Sequence, residues 1–194
     1  MSDSPEIRQI KTRLRANWNL KSEPTTKTGA YVDKFYARKR TGMKITACVV
    51  GNHGEYTVSI EVRDKDIRSG CGCYIGRDGG CHHCVALAYT FLQDAASFTE
   101  IIHPPRKALR TLDALAAYLE GVTLESLLDE LKEKGITQKA LAESIGMSSR
   151  HMSAVKSSEL RNHYFHELGA TKLACLWALE KIKAPAAQKK KKAK

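Results

Sequence analysis

The stretch CGCYIGRDGGCHHC, Cys71 to Cys84, holds four of the chain's six cysteines and two of its seven histidines within fourteen residues. Such a cluster can bind a metal, form disulfides or carry a nucleophile, and each choice dictates a different fold around it. Cys71 and Cys73 are one residue apart, which strains any bridge between them. The N-terminal MSDSPEIRQIKTRLR lacks the apolar middle of a secretory signal, and no apolar run approaches the roughly 20 residues needed to cross a bilayer. The expectation is a soluble, intracellular chain, and in a reducing compartment clustered thiols serve metal binding or catalysis more often than disulfides. A nucleophile needs an oriented base, and no acidic residue is placed to orient His83.

Zinc takes about four soft ligands in a tetrahedron, and pairs of ligands one or two residues apart come naturally from a tight turn and from the start of a helix. Cys71 and Cys73 supply the first pair. Seven residues follow, with Gly76, Gly79 and Gly80 free to double the loop back over the ion. Cys81 and His83 supply the second pair, giving C-x-C-x7-C-x-H. A four-thiolate set of Cys71, Cys73, Cys81 and Cys84 is the alternative, so the fourth ligand stays open between His83 and Cys84. One zinc ion with a structural role is expected, because a closed four-ligand site leaves no position for substrate.

The flanks give the cluster a setting. MKITACVVG and EYTVSIEVRD read as two strands joined by the turn GNHG at residues 51–54, with Tyr56, Val58, Ile60 and Val62 on one face. From His82 the pattern turns helical, with Val85, Ala88 and Leu92 on one stripe and Cys84, Leu87 and Phe91 on the next. Ahead of these lie a short basic helix carrying Ile7, Ile10 and Leu14, and the polar connector SEPTTKTG. Hairpin, CxC, spacer, CxH and apolar helix together resemble the SWIM zinc-finger family over residues 31–98. The upstream YVDKFYARKR is similar to that family's lead-in strands. The resemblance implies Cys71, Cys73, Cys81 and His83 as ligands and Cys84 as a core residue, in a module that binds DNA or protein.

The PP pair at 104 and 105 breaks the chain, and every later segment reads as helical, through Leu109, Leu112, Leu115 and Leu119 and then Leu127, Leu128 and Leu131. Within TQKALAESIGMSSRHMSAVKSSEL, Thr137 to Leu160, Ala142 is a small residue at a helix crossing and Gly146 accepts positive φ at a turn. Leu141, Ile145, Met147, Met152 and Val155 form an apolar set. Thr137 can cap the first helix, and Ser148 or Ser149 the second. The stretch resembles the helix-turn-helix of phage-repressor-like regulators. By that resemblance Ser149, Arg150, His151, Ser153 and Ala154 face base edges, and Gln138, Lys139 and Lys156 lie nearer phosphates. Arg150 is the candidate reader of guanine, whose two major-groove acceptors match its fork. Leu173, Leu176, Trp177 and Leu179 are expected to complete the helical core. His163, His166 and Cys175 read as separate core and surface positions, because no fourth ligand lies near them.

Charge separates the same regions. The net +11 divides into +6 for residues 1–40, −2 for 41–100 and +7 for 101–194. Basic flanks draw a polyanion, and nucleic acid is the usual partner. The expected fold class is α+β: a basic segment over 1–30, a zinc-stabilised hairpin-and-helix module over 31–100, and an all-α helix-turn-helix domain over 106–183 with the motif at 137–157. A disordered Lys-rich tail is expected over 184–194. The expected function is sequence-specific DNA binding in transcription regulation, in the cytoplasm at the nucleoid, or in the nucleus of a eukaryote. The zinc module is left for a protein or nucleic-acid partner, with no membrane involvement and room for a homodimer. An adaptor in DNA repair, recombination or mobile-element machinery is the alternative. An enzyme is not expected, for want of a phosphate-binding loop, paired carboxylates or an open metal site.

Overall fold

The computed structural model describes residues 3–18, 20, 22–63, 66–161 and 165–182. The tail expected over 184–194 lies outside them, as does His163. The fold is mixed α/β, with a five-stranded sheet and helices before, within and after it. It divides into two compact units, Met1–Ala117 with Leu160–His163 and Tyr118–Glu159 with Tyr164–Lys194.

The first unit opens with α1 (Pro5–Asn17), started by Pro5 and by Ser4, whose side chain accepts from the Ile7 amide. Ile10 and Leu14 are fully buried in the sheet's core, and Ile7 packs beside them. The helix of the basic segment is therefore anchored by its apolar stripe, with Arg8 and Arg15 exposed and Lys11 and Arg13 half-buried. The connector expected to be irregular contains a short helix, α2 (Thr26–Gly29), because Thr25 caps it through the Thr28 amide. Local capping chemistry outweighed the polar composition there.

The strands β1 (Tyr36–Thr41), β2 (Lys44–Gly51), β3 (Gly54–Val62) and β4 (Ile67–Cys71) pair antiparallel in the order β4-β3-β2-β1. A two-residue β5 (Thr99–Glu100) adds parallel to β1. The β2–β3 register runs from Lys44 opposite Glu61 to Gly51 opposite Gly54, so the expected hairpin closes at its GNHG turn. Val58, Ile60 and Val62 are buried on one face with Ile45, Ala47 and Val49 opposite them. Helix α3 (His82–Gln93) supplies Cys84, Leu87, Ala88 and Phe91 to the same core. Strand β4 was not anticipated: its sequence, IRSGC, lacks alternating apolar residues, and pairing with β3 alone makes it a strand.

The second unit is helical. It contains α5 (Leu124–Glu133), α6 (Gln138–Ser144), α7 (Ser149–Ser157) and α8 (Phe165–Lys181), and α4 (Leu112–Gly121) spans the division between the units. Leu124, Leu127, Leu128 and Leu131 of α5 pack with Leu168, Cys175, Leu176 and Leu179 of α8 in its interior. Three residues assigned to the core by periodicity are instead exposed: Ile145, Leu173 and Trp177. The helical period finds an apolar stripe, but neighbouring elements decide how much of its width they cover. No helix among the described residues is long and apolar enough to cross a membrane.

Candidate metal centre

The site is built at the junction of sheet and helix. Strand β4 ends at Cys71, paired with Val58, and the Gly72 amide continues the ladder by donating to Thr57 O. Cys73 follows after this single residue, so both sulfurs enter the interior from one tight turn. The turn binds its own sulfurs: the Cys73 amide donates to Cys71 Sγ at 3.5 Å and the Gly76 amide to Cys73 Sγ at 3.1 Å. A Cβ at Gly76 would lie 2.5 Å from Cys71 Cβ and 3.1 Å from Cys73 Sγ, so only glycine admits this wrap. Gly79 and Gly80, at φ 76° and 70°, then turn the loop back over β4, where the Gly80 amide donates to Ser69 Oγ.

Cys81 occupies the N-cap position of α3 in extended conformation, yet its side chain makes no capping bond. Its sulfur turns inward instead. His83, in the first turn of α3, presents Nδ1 at 3.6 Å from Cys71 Sγ and 4.0 Å from Cys81 Sγ. The ligand atoms of Cys71, Cys73, Cys81 and His83 all lie within 4.8 Å of one another, and all four residues are buried. Cys84 is not one of these four, although it is fully buried and its Sγ lies 3.6 Å from that of Cys81. His82 is exposed and pairs with Thr28 Oγ1.

Three sulfurs and one imidazole nitrogen are the donors of a soft or borderline cation rather than of calcium or magnesium, which take oxygen. Tetrahedral bonds of about 2.3 Å to sulfur and about 2.0 Å to nitrogen set ligand atoms about 3.5–3.8 Å apart, close to the spacings seen. The amide hydrogen bond from Cys73 to Cys71 Sγ favours thiolate at Cys71. The cluster's own electrostatics run the same way at Cys81: hydrogen bonds from Cys71 and then Cys84 hold its thiol far below the ordinary range. Cys71 is pushed up by sharing that proton with Cys81 and by burial, and Cys84 likewise. A divalent cation would replace these shared protons and release them. The residues present fit a metal ion.

Two tyrosines complete the site, and neither was foreseen. The His83 ring meets Tyr31 edge-on at 4.4 Å between centroids and Tyr56 at 5.2 Å. Its Nε2 is buried without a hydrogen-bond partner, so aromatic packing holds the ring with Nδ1 toward the sulfurs. No spacing rule links residues 31, 56 and 83; Tyr31 comes from the turn after α2 and Tyr56 from β3, and both meet His83 because α2 and β3 each pack against α3.

The residues expected to meet DNA occupy α6 and α7. Thr137 caps α6 through the Ala140 amide, Gly146 takes φ 73° between the helices, and Ser148 caps α7 through the His151 amide. Ala142, Leu141, Met152 and Val155 are buried. Lys139, Ser149, Arg150 and Ser153 are exposed, while Gln138, His151, Ala154 and Lys156 are half-buried. Gln138 Nε2 donates to Ser153 Oγ across the two helices at 2.9 Å. Lys139 faces Glu143 and Lys156 faces Glu125, each at 3.8 Å. In α8, Cys175 is buried and His166 exposed, and neither joins a metal-ligating group among the described residues. Compared with known proteins, the chain matches no family model, no curated protein and no solved structure.

Proposed function

We propose that the chain is a non-enzymatic, sequence-specific DNA-binding protein of the regulatory kind, in which α6 and α7 act as a helix-turn-helix. In this reading a single zinc ion, held by Cys71, Cys73, Cys81 and His83, cross-links a SWIM-like first unit. The observation that carries the DNA reading is the division of α7. Met152 and Val155 are buried on one side, while Ser149, Arg150 and Ser153 stand exposed on the other, after a positive-φ turn at Gly146. An exposed short helix with polar and cationic side chains at its N-terminal end suits the major groove. Basic sequence on either side of the metal-binding region adds phosphate affinity.

Salt and mutation test this reading together. Affinity for a selected site is expected to fall steeply with salt; Arg150→Ala is expected to cost about 1–3 kcal/mol and to relax preference at one base pair. Lys139→Ala is expected to weaken all sequences alike. Equal loss on every sequence from Arg150→Ala would remove base reading from the proposal. The zinc reading predicts one zinc per chain by elemental analysis, retained in Cys84→Ala and lost in Cys71→Ser. Retention in His83→Ala with loss in Cys84→Ala would transfer the fourth ligand to Cys84.

A second reading has its own support. Tyr74 and Ile75, on the loop between the cysteine pairs, are 95 % and 73 % exposed. Two large apolar side chains on a loop tied down at both ends suit a protein partner, as in an adaptor of DNA repair, recombination or mobile-element machinery. Failure to select any DNA site from a random pool would favour this reading.

A further inference from the structure

The outward face of α8 is more apolar than a solvent-exposed helix requires. Leu173 is 44 % exposed and Trp177 62 %, and Ile145 and Ile182 add 39 % each. Trp177, Ile145 and Ile182 border a groove of about 440 Å³ between α6 and α8, lined also by Ile136 and Ala174, and Leu173 lies one turn before Trp177 on α8. One exposed leucine needs no explanation; four large apolar side chains on one face of a unit do.

We propose that this face docks a second copy of the chain, α8 against α8, antiparallel about a two-fold axis near Ala174. The spacing Ala170, Leu173, Ala174, Trp177 forms a seam of the kind that two helices share, with small residues where backbones approach and large ones between. The same patch must serve both copies, which a two-fold pairing requires. Charge fixes the direction. Glu167 lies in the first turn of α8 and Lys181 in the last, 14 residues and about 21 Å apart. Antiparallel pairing sets Glu167 of each copy beside Lys181 of the other, at both ends. Parallel pairing would oppose glutamate to glutamate and lysine to lysine, and would align the helix dipoles unfavourably. The segment KAPAAQKKKKAK that follows Ile182 is a poor occupant, with no large apolar side chain to fill the groove. A second Trp177 fills it. The pairing does not depend on DNA binding.

Sedimentation equilibrium of the full chain tests it. The mass is expected to rise from 21.5 kDa toward twice that value across the roughly micromolar to hundred-micromolar range. Trp177→Glu, at a solvent-exposed position, is expected to keep its helical circular dichroism and to raise the dimer Kd more than tenfold, as buried interface tryptophans do. Glu167→Lys alone is expected to raise Kd about fivefold, and Glu167→Lys with Lys181→Glu to recover it. Three results would overturn the proposal: a mass of 21.5 kDa at every concentration, a dimer indifferent to Trp177→Glu, or a double charge reversal no better than the single one.

Discussion

At Gly79 an added methyl group would lie 2.7 Å from Ser69 Oγ and 2.9 Å from Ser69 O, while at Gly80 it would meet nothing within 4 Å. Both residues have positive φ, which costs alanine about 1–3 kcal/mol, and Gly79, at ψ 179°, lies in the region essentially reserved for glycine. Only Gly79→Ala adds a steric conflict with backbone, worth about 1–3 kcal/mol more. Urea unfolding is expected to rank Gly79→Ala well below Gly80→Ala in stability, and metal retention to follow the same order. Cys175 gives a second residue-scale expectation. Burial raises its thiol from 9.0 to about 12. Below pH 9 folded and unfolded chains both carry the proton, so nothing changes. Between about pH 9 and pH 12 the unfolded chain loses it while the folded chain keeps it, and stability falls as pH rises. Stability measured from pH 8 to 11 should therefore decline less in Cys175→Ala than in the parent chain. The motif CxC-x7-CxH was legible because its residues are near neighbours in sequence, whereas Tyr31 and Tyr56 were not, because the packing of α2 and β3 against α3 places them.

Among the elements, α4, α5 and α8 of the second unit are joined by a buried ion pair. Lys172 Nζ lies 2.7 Å from Glu159 Oε1, both side chains are almost fully enclosed, and Lys172 also donates to Leu119 O. The other Glu159 oxygen accepts from the Leu124 amide, the first residue of α5, where a carboxylate also meets the helix dipole favourably. Removing one partner strands the other charge in the interior. Glu159→Ala is expected to cost about 3–5 kcal/mol, and Glu159→Leu combined with Lys172→Met much less than the sum of the separate changes. Thermal unfolding of the four proteins measures this coupling. Periodicity located α1, α3, α5 and the β2–β3 hairpin because each buries a stripe of matching period. It gave α8 too wide a core face, since Leu173 and Trp177 share the helical period with Leu176 and Leu179 but lie beyond the cover of α5.

For the whole molecule the two units should respond differently to chelation. The packing of α1 and α3 on each other and on the sheet gives the first unit a real core, from Ile10 and Leu14 to Phe91 and Phe98. The loop from Gly72 to Gly80, by contrast, contributes little apolar burial and relies on the cysteine cluster. A chelator at neutral pH is expected to lower the first unit's melting transition by roughly 10 °C or more and to leave the helical unit's transition in place. Calorimetry with and without chelator, with a return of the transition on adding zinc, reads this directly. A single transition unmoved by chelation would deny the metal any part in stability.

The sequence by itself determined the local chemistry of this protein. The spacing of Cys71, Cys73, Cys81 and His83, the hairpin turn at 51–54, the caps at Ser4, Thr137 and Ser148, and the positive-φ turn at Gly146 each follow from residues a few positions apart. Tertiary structure decided what depends on distant partners. It made IRSGC a strand, enclosed His83 between two tyrosines, paired Lys172 with Glu159, and left Trp177 facing outward. The physical reason is range: hydrogen bonds and rotamers act over one or two turns of chain, whereas burial is fixed only when remote surfaces meet and exclude water.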